Sequence, residues 1–295
     1  MTEVPEEMTR LERLRLREIH ENPHHVGREV LVCLVLLMIG LCVWCVWNIW
    51  TIAASDAQDM RRTEHLRVVA GVAWDPGTAA TGSIVSVSEA PVAPASSGAD
   101  VSAAASAPDM QAVLREIPAA RAWLSVPGTD IEYPIMQGAN NEYYLTHAAS
   151  GEKSRAGAIF MSWENTDDFL DGNTVLYGHR MNNGAMFGGL DRYRDSAFLD
   201  AHSVIRVTLP DGTVRTYEVC AVQEIEARAD HPAYRTSFSD AEDFSAWAER
   251  PREGLVCART CPPSEAYLTL STCVAGRSDA RLIVQAAYRE ERSTN

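Results

Sequence analysis

The chain has 295 residues, with 40 acidic and 26 basic side chains that give a formal net charge of −14. Binding to phosphate backbones needs clustered lysine and arginine, so this balance argues against a nucleic acid partner. The length would accommodate two average domains, but only part of the chain carries the apolar, aromatic and turn residues that a core needs. We therefore expect one sizeable core.

Residues 30–54 form an uncharged stretch of 25 residues, VLVCLVLLMIGLCVWCVWNIWTIAA. This is long enough to span a bilayer as a helix, and it is longer than the apolar part of a cleavable signal peptide, which has about 7 to 15 residues. Trp44, Trp47 and Trp50 cluster at its far end, and indole rings prefer the boundary between lipid and water. The pattern predicts a retained transmembrane signal anchor rather than the buried helix of a soluble core.

The flanks of this apolar stretch predict its orientation. Residues 1–29 contain five arginines, against three that closely follow the stretch, so the positive-inside rule favours a cytoplasmic N-terminal arm and an extracellular C-terminal part. Within the arm, residues 8–20 have few leucines for burial in an interface, which favours a solvated segment over a helix on the membrane surface. Residues 55–108 turn to Ala, Ser, Val, Gly and Pro. Such a composition cannot offset its ordering entropy by burial, so we expect a low-complexity extracellular stalk.

Residues 109–290 show short runs of alternating apolar and polar residues bounded by turn residues, which is the signal of β-strands. The sequence LPDGTV is a hairpin with Asp211 and Gly212 at its tip. Seven or eight such strands with little helix predict a mostly β fold, in the form of a closed or nearly closed barrel rich in antiparallel pairs. Residues 291–295 are a short C-terminal tail.

Helical signals in the same region are few. They lie near residues 110–117, at a short turn over 141–145, and at a segment that opens at Ser239. Ser239 and Glu242 have the spacing of a capping box ahead of two aromatic residues, so we predict that a helix begins there.

The seven cysteines divide between the apolar stretch, which holds three, and the predicted folded part, which holds Cys220, Cys257, Cys261 and Cys273. Four cysteines are too few for a scaffold built on disulfides. Cys257 and Cys261 could close a small disulfide loop in an oxidising exterior or could be two reduced thiols, and we favour the reduced thiols.

Neither a metal nor a cofactor is indicated by the sequence. Structural zinc needs a second pair of ligands, and no CxxC or HxxxH partner for the cysteines is visible. The acidic run at 164–171, ENTDDFLD, lacks the spacing of a known calcium loop, so it is better interpreted as a solvated turn.

Three residues at predicted strand ends could carry chemistry. Cys273 closes an apolar strand, which is a position suited to a nucleophile on a rigid scaffold. His179 follows another strand directly after Gly178, and Arg281 opens the strand that follows the cysteine. A guanidinium beside the thiol could donate hydrogen bonds to a developing oxyanion, provided that the two strands are neighbours. Taken singly, each residue is more simply explained as an inert thiol, a polar loop residue or a surface cation.

The combination resembles the sortase family. The segments TLSTC (269–273), YGHRM (177–181) and ARLIVQA (280–286) are similar to the three signature segments in which sortases carry their cysteine, histidine and arginine. Other segments resemble the class B subgroup: WLSVPGTDIEYPIMQG (123–138), NNEYYLTH (140–147), AGAIFMSWEN (156–165), MFGGLDRY (186–193) and FSDAEDFSAWAER (238–250). The resemblance covers nearly all of 109–290 and implies an eight-stranded sortase-type barrel as the catalytic domain.

The resemblance also implies the roles of individual residues. It makes Cys273 the nucleophile, His179 the general acid and Arg281 the cation on the oxyanion side of the site. It further places the sorting-signal groove at Ser271, Asn141, Leu145 and Tyr234.

The reaction implied by this family is a cysteine transpeptidation. A thiolate attacks the carbonyl after the threonine of a C-terminal sorting motif, and an amine of a cell-wall precursor or of a pilin subunit resolves the thioester. The implied partners are therefore secreted proteins that bear a sorting motif, an acceptor amine and the cell membrane around residues 30–54. Two alternatives stay open at this stage, namely a cysteine endopeptidase that resolves the acyl-enzyme with water and a surface scaffold without catalytic activity.

Overall fold

The computed structural model describes residues 23–72, 107–261 and 263–289. Most of the predicted cytoplasmic arm, most of the predicted stalk and the C-terminal tail lie outside the described residues. The chain forms two compact units that divide between Ser55 and Asp56.

The first unit contains most of the long helix α1 (Pro23–Val69). Between Val30 and Ile52 its large apolar side chains are exposed, as in Leu37 at 66% and Trp47 at 64%, so this part of the helix is not packed in a core. Within the described part of the chain, α1 is the one helix that is long and apolar enough to cross a membrane. An apolar helix near the N-terminus is thus confirmed, and the crossing of a membrane stays a prediction.

The C-terminal end of α1 belongs to the second unit and differs from the predicted stalk. Residues 56–69 are helical because they are mostly good helix formers, such as Ala, Gln, Met, Arg, Glu and Leu. The helix ends where Gly71 takes a positive φ of 67°. Arg67 and Ala70 are buried within the second unit, so the folded part of the chain includes residues N-terminal to 109.

The described residues of the second unit form nine strands: β1 (Ala122–Val126), β2 (Ile131–Gln137), β3 (Ile159–Met161), β4 (Asn173–Tyr177), β5 (Val204–Thr208), β6 (Val214–Glu226), β7 (Leu255–Ala258), β8 (Tyr267–Val274) and β9 (Arg277–Arg289). Their order is β5-β1-β2-β3-β4-β8-β9-β6-β7, and β5 also pairs with β6. This extra pairing closes eight strands into a ring and leaves β7 as an additional strand on β6. The predicted eight-stranded barrel is confirmed.

Short helices connect or cover the strands: α2 (Met110–Glu116), α3 (Ser196–Ala201), α4 (Ala241–Glu249), and the 3-10 helices η1 (Tyr143–Leu145), η2 (Phe187–Arg194) and η3 (Pro232–Tyr234). The predicted pieces near 110–117 and 141–145 correspond to α2 and η1. The predicted hairpin joins β5 to β6, with Gly212 at a positive φ of 87°.

The beginning of α4 differs from the predicted capping box by one residue. Asp240 is the N-cap, and its carboxylate accepts a hydrogen bond from the Asp243 backbone N at 2.8 Å. The Asp243 carboxylate in turn accepts from the Ser239 backbone N at 2.9 Å. Aspartate caps as well as serine, so the reciprocal bonding starts at the second polar residue of the run rather than at Ser239 with Glu242.

The disulfide also differs from prediction, because Cys220 pairs with Cys261 and Cys257 is a free thiol. Cys257 lies in β7, and beyond it the Arg259 backbone N donates to Cys220 O at 2.8 Å, so the chain continues alongside β6. Four residues of extended chain cover about 13 Å, too far for a disulfide between Cys257 and Cys261. The Cα atoms of Cys220 and Cys261 are 5.5 Å apart.

Two apolar clusters explain which faces of the strands are buried. One fills the barrel and includes Leu124, Ile135, Leu176, Leu268, Leu270 and Val284. The other lies on the outer face and joins the end of α1, with the residue after it, and α2 to the strands; it includes Ala70, Val113, Trp123, Met136 and Phe160, and Leu66 of α1 packs against it. Because side chains alternate along a strand, this arrangement fixes which residues of β4 and β8 face outward.

Candidate active site

Cys273 and Arg281 are a directly opposed pair on the antiparallel strands β8 and β9. Opposed residues of such a pair point to the same face of the sheet. Leu270 of β8 points into the barrel, so Ser271 and Cys273 face outward. Cys273 is partly exposed and carries a free thiol at the point where β8 ends and the pairing becomes irregular. The neighbouring strands that the sequence analysis required are therefore present.

His179 reaches the same place from β4, which pairs in parallel with β8 and sets Tyr177 beside Ser271. His179 and Cys273 each follow two residues after this last pair, on neighbouring segments of the chain. The contact continues past the end of β4, since the Thr272 hydroxyl donates to Gly178 O at 2.8 Å. A Cβ atom at Gly178 would lie 2.5 Å from Ile159 Cδ1 and 2.8 Å from Phe187 Cδ2, so the backbone packs closely against both side chains here.

The imidazole of His179 is held by a backbone carbonyl. Its Nε2 lies 2.7 Å from Leu145 O. A carbonyl oxygen only accepts, so Nε2 carries the proton in this bond and Nδ1 is left for a reacting group. Leu145 therefore contributes its carbonyl, in addition to a side chain that is 36% exposed.

The Arg281 side chain is held by backbone carbonyls at the beginning of its own strand, β9. Its Nη1 donates to Ser278 O at 3.0 Å and to Ala280 O at 2.9 Å. Both bonds use one nitrogen, so the other guanidinium nitrogens stay available to a ligand within the described part of the site.

Ser271 and Tyr234 form a hydrogen-bonded pair, with the two hydroxyl oxygens 2.9 Å apart. Burial raises the pKa of the Tyr234 phenol, while the hydrogen bond to Ser271 and the charge of Arg281 oppose that shift. The phenol is thus kept protonated and can donate. The structure brings Tyr234, Ser271 and Arg281 to one surface.

The side chain of Asn141 forms hydrogen bonds with the loop that follows β3. Its Oδ1 accepts a hydrogen bond from the Trp163 backbone N at 3.0 Å, and its Nδ2 donates to the Ser162 hydroxyl at 3.3 Å. Trp163 is 55% exposed. Asn141 therefore positions the loop after β3 at the edge of the same surface.

One aromatic residue of the site was missed by the sequence analysis. Tyr177 lies beside Ser271 in the sheet, and its ring centroid is 5.9 Å from that of Tyr234 and 5.4 Å from that of Phe160. The alternation of β4 could have indicated it, because Tyr177 shares the outward face with His179 two residues later.

The acidic run at 164–171 folds as a turn. Asp171 accepts from the Asn165 side chain and from the Thr166 backbone N, and Asp168 accepts from the Leu170 backbone N at 3.0 Å. These oxygens are engaged within the turn itself, as expected for a solvated turn.

Comparison with known proteins shows which family the chain resembles. A family model described as the sortase domain matches residues 124–289. The chain is 37% identical over 153 residues to a sortase B of Listeria monocytogenes, an alignment that covers 51% of this chain and 61% of the length of that protein.

Solved structures give the same result. The crystal structure of Clostridium perfringens sortase B has a TM-score of 0.56 and 30% identity, covering 60% of this chain and 97% of that one. A Staphylococcus aureus sortase B–substrate complex has a TM-score of 0.56 and 25% identity, covering 62% of this chain and 85% of that one. The barrel and the family model, which matches more than half of the residues, lead to one conclusion: the chain belongs to the sortase family.

Proposed function

We propose that the protein is a class B-like sortase, a cysteine transpeptidase that cleaves a C-terminal sorting motif after threonine and transfers the acyl group to an amine. The proposal is supported by the strand register, which sets Cys273 opposite Arg281 and pairs Tyr177 with Ser271, two residues before His179 and Cys273. A nucleophile, a proton carrier and an oxyanion donor are the groups that acyl transfer through a thioester requires.

In the proposed mechanism, the Cys273 thiolate attacks the carbonyl carbon of the scissile peptide. The guanidinium of Arg281 donates to the oxygen that becomes negative in the tetrahedral intermediate. His179 gives a proton to the leaving amine as the C–N bond breaks, which leaves a thioester on Cys273. An incoming amine then attacks the thioester, loses a proton to His179 and restores the thiolate.

The substrate surface is formed by groups around these three residues. The partly buried Tyr234 offers its hydroxyl to a peptide backbone, the buried Ser271 holds that hydroxyl in place, and the side chain of Leu145 offers an exposed apolar contact. Asn141 acts by holding the loop that carries Trp163. The partners are secreted proteins that bear the sorting motif, and the acceptor is the amine of a cell-wall precursor or of a pilin subunit.

We further propose that residues 1–29 lie in the cytoplasm and residues 30–54 span the membrane. The unit that begins at Asp56 then lies outside the cell. This places the thiol where secreted substrates and membrane-linked acceptors meet.

The test is to incubate the full chain in detergent with a library of sorting-type peptides and to search for a thioester on Cys273 by mass spectrometry. We expect the acyl-enzyme in the wild-type chain and its loss in Cys273→Ala. Cys257→Ala is the matched control, because Cys257 is also a partly exposed free thiol and should leave the reaction unchanged.

Adding glycine peptides and diamino acids to the same reaction tests the acceptor. A transpeptidase forms the amine-linked product in preference to the free acid. Free acid alone under all conditions would identify an endopeptidase, and the absence of any thioester would refute the proposed activity.

A further inference from the structure

Residues 56–70, the C-terminal end of α1 with the residue that follows it, lie across the outer face of the barrel, and we call this segment the brace. Arg67 and Ala70 are only 7% and 1% exposed. The proposed reaction assigns no task to the brace. Two sets of contacts nevertheless lead from it to His179.

The first set leads to the loop that begins at His179. The Arg67 guanidinium lies over the ring of Tyr133, 5.4 Å from its centroid. The Tyr133 hydroxyl accepts a hydrogen bond from the Met186 backbone N at 3.0 Å. Phe187, the next residue, donates its backbone N–H to His179 O at 2.9 Å.

The backbone conformation of Met186 depends on the contacts around it. Its φ is 53°, a left-handed conformation that residues other than glycine adopt only when their surroundings impose it. The Tyr133 hydroxyl is the group that holds its N–H. At the tip of the same loop, Asn183 Nδ2 lies 3.5 Å from Met60 Sδ of the brace.

The second set leads to the carbonyl that binds the ring of His179. Asp59 accepts a hydrogen bond from the Ser154 hydroxyl at 2.7 Å, and Arg62 forms an ion pair with Glu152. The segment 152–158 is therefore tied to the brace at two points.

This segment in turn supports the turn at η1. The Ser154 backbone N donates to Thr146 O at 3.0 Å, and the Ala158 backbone N donates to Tyr144 O at 2.9 Å. A Cβ atom at Gly157 would lie 2.4 Å from Tyr144 O, so the two segments are in close contact. Leu145, between these supported residues, provides the carbonyl that accepts from His179 Nε2.

We propose that the brace is a positioning element for His179, holding the loop that carries the histidine through Arg67 and the turn that binds its ring through Asp59 and Arg62. The inference rests on the proposed function for its effect on catalysis, although the positioning itself does not. Proton transfer depends on placement within hydrogen-bond reach, and a misplacement of about 1 Å can cost about a hundredfold in rate.

The variant Arg62→Ala tests the proposal in the full chain in detergent. We expect kcat for thioester-dependent amine transfer to fall about ten- to a hundredfold while KM changes less than about twofold, because Leu145 is the one group of the proposed substrate surface that lies on the turn supported by the brace. Arg61→Ala is the matched control, since Arg61 is the adjacent arginine and its side chain is exposed. It should leave kcat unchanged.

Reversing the charges of the ion pair distinguishes a positioning role from a general stabilisation of the fold. Arg62→Glu should lose activity like Arg62→Ala, and combining it with Glu152→Arg should restore kcat, because the ion pair is re-formed in reverse. Failure of this double variant to recover, while it melts at the wild-type temperature, would refute the positioning role.

A spectroscopic readout keeps the inference testable if no peptide is turned over. In chain labelled with ¹⁵N-histidine, His179→Ala identifies the ring signals of His179. We expect Arg62→Ala to shift these signals and to speed solvent exchange of the Nε2 proton, with Arg61→Ala matching the wild type. Unchanged His179 signals in Arg62→Ala would overturn the proposal, whereas a wild-type chain that forms no thioester would overturn only the proposed function.

Discussion

Cys273 and Arg281 are eight residues apart in the chain and directly opposite each other in the sheet. His179 is far from both in sequence and joins them through the parallel pairing of β4 with β8. Cys273 lies near the end of β8, Arg281 lies within β9 and His179 follows β4 by two residues, so the barrel fixes the backbone at or next to each of them. The register thus gives the site a rigid base.

Arg281→Lys is expected to lower kcat/KM by about a hundredfold without lowering the melting temperature. Lysine retains the charge but cannot present planar, paired donors, and the loss of one oxyanion donor costs about 10²- to 10³-fold. The measurement is steady-state transfer of a sorting peptide to an amine. Arg277→Lys on the same strand is the control, because Arg277 pairs with Glu224 at the surface. Near-normal turnover in Arg281→Lys would remove Arg281 from the proposed site.

His231 is expected to make stability depend on pH. It is 4% exposed, and burial lowers its pKa below the ordinary value of 6.5, partly opposed by Glu253. Its Nδ1 accepts from the Ala233 backbone N at 3.1 Å, a bond that protonation would break. The unfolded chain therefore binds more protons, so this stabilising contribution is complete above about pH 6.5 and is lost as pH falls through the lower folded pKa.

The variant His231→Asn should flatten the fall in melting temperature between pH 7 and pH 5, because asparagine can accept the same bond and does not titrate. His202, whose pKa burial also lowers, stays in both proteins and accounts for a residual slope. An equal slope in the variant and the wild type would show that His231 is not the titrating group.

At the scale of elements, the sequence predicted the features that depend on residues close together in the chain. Alternation indicated the strands, and Asp211 with Gly212 indicated the hairpin between β5 and β6. The disulfide could not be predicted, because Cys220 meets Cys261 only through the pairing of β6 with the segment after β7. The hydrogen bond between His179 and Leu145 O could not be predicted either, because it joins the end of a strand to a turn that is distant in sequence.

Removal of the disulfide by Cys220→Ala with Cys261→Ala is expected to lower the free energy of unfolding by about 4 kcal/mol. The two cysteines are 41 residues apart, and the entropy of closing a loop of that size in the unfolded chain gives this magnitude. Guanidinium unfolding of oxidised protein measures it, and thiol alkylation should count five free cysteines before reduction and seven after it. Cys257→Ala is the control. A variant pair as stable as the wild type would show that the bond adds nothing.

At the scale of the whole molecule, the boundary of the folded unit lies earlier than composition suggested. The Ala-, Ser- and Pro-rich sequence that predicted a stalk is concentrated after Trp74, whereas residues 56–69 are helical. Which of these residues contact the barrel cannot be predicted before the surface of the barrel is known. Leu66 and Ala70 pack with the outer cluster around Met110 and Trp123.

Three fragments test this boundary: 56–295, 73–295 and 109–295. Loss of the brace removes the burial of Leu66 and Ala70 and the ion pair of Arg62, which together contribute about 2 kcal/mol. For a domain of this size, we expect a fall in melting temperature of about 4–8 °C. The fall should occur between the first and second fragments, with the third melting like the second. Equal melting of 56–295 and 73–295 would show that the brace does not contribute to stability.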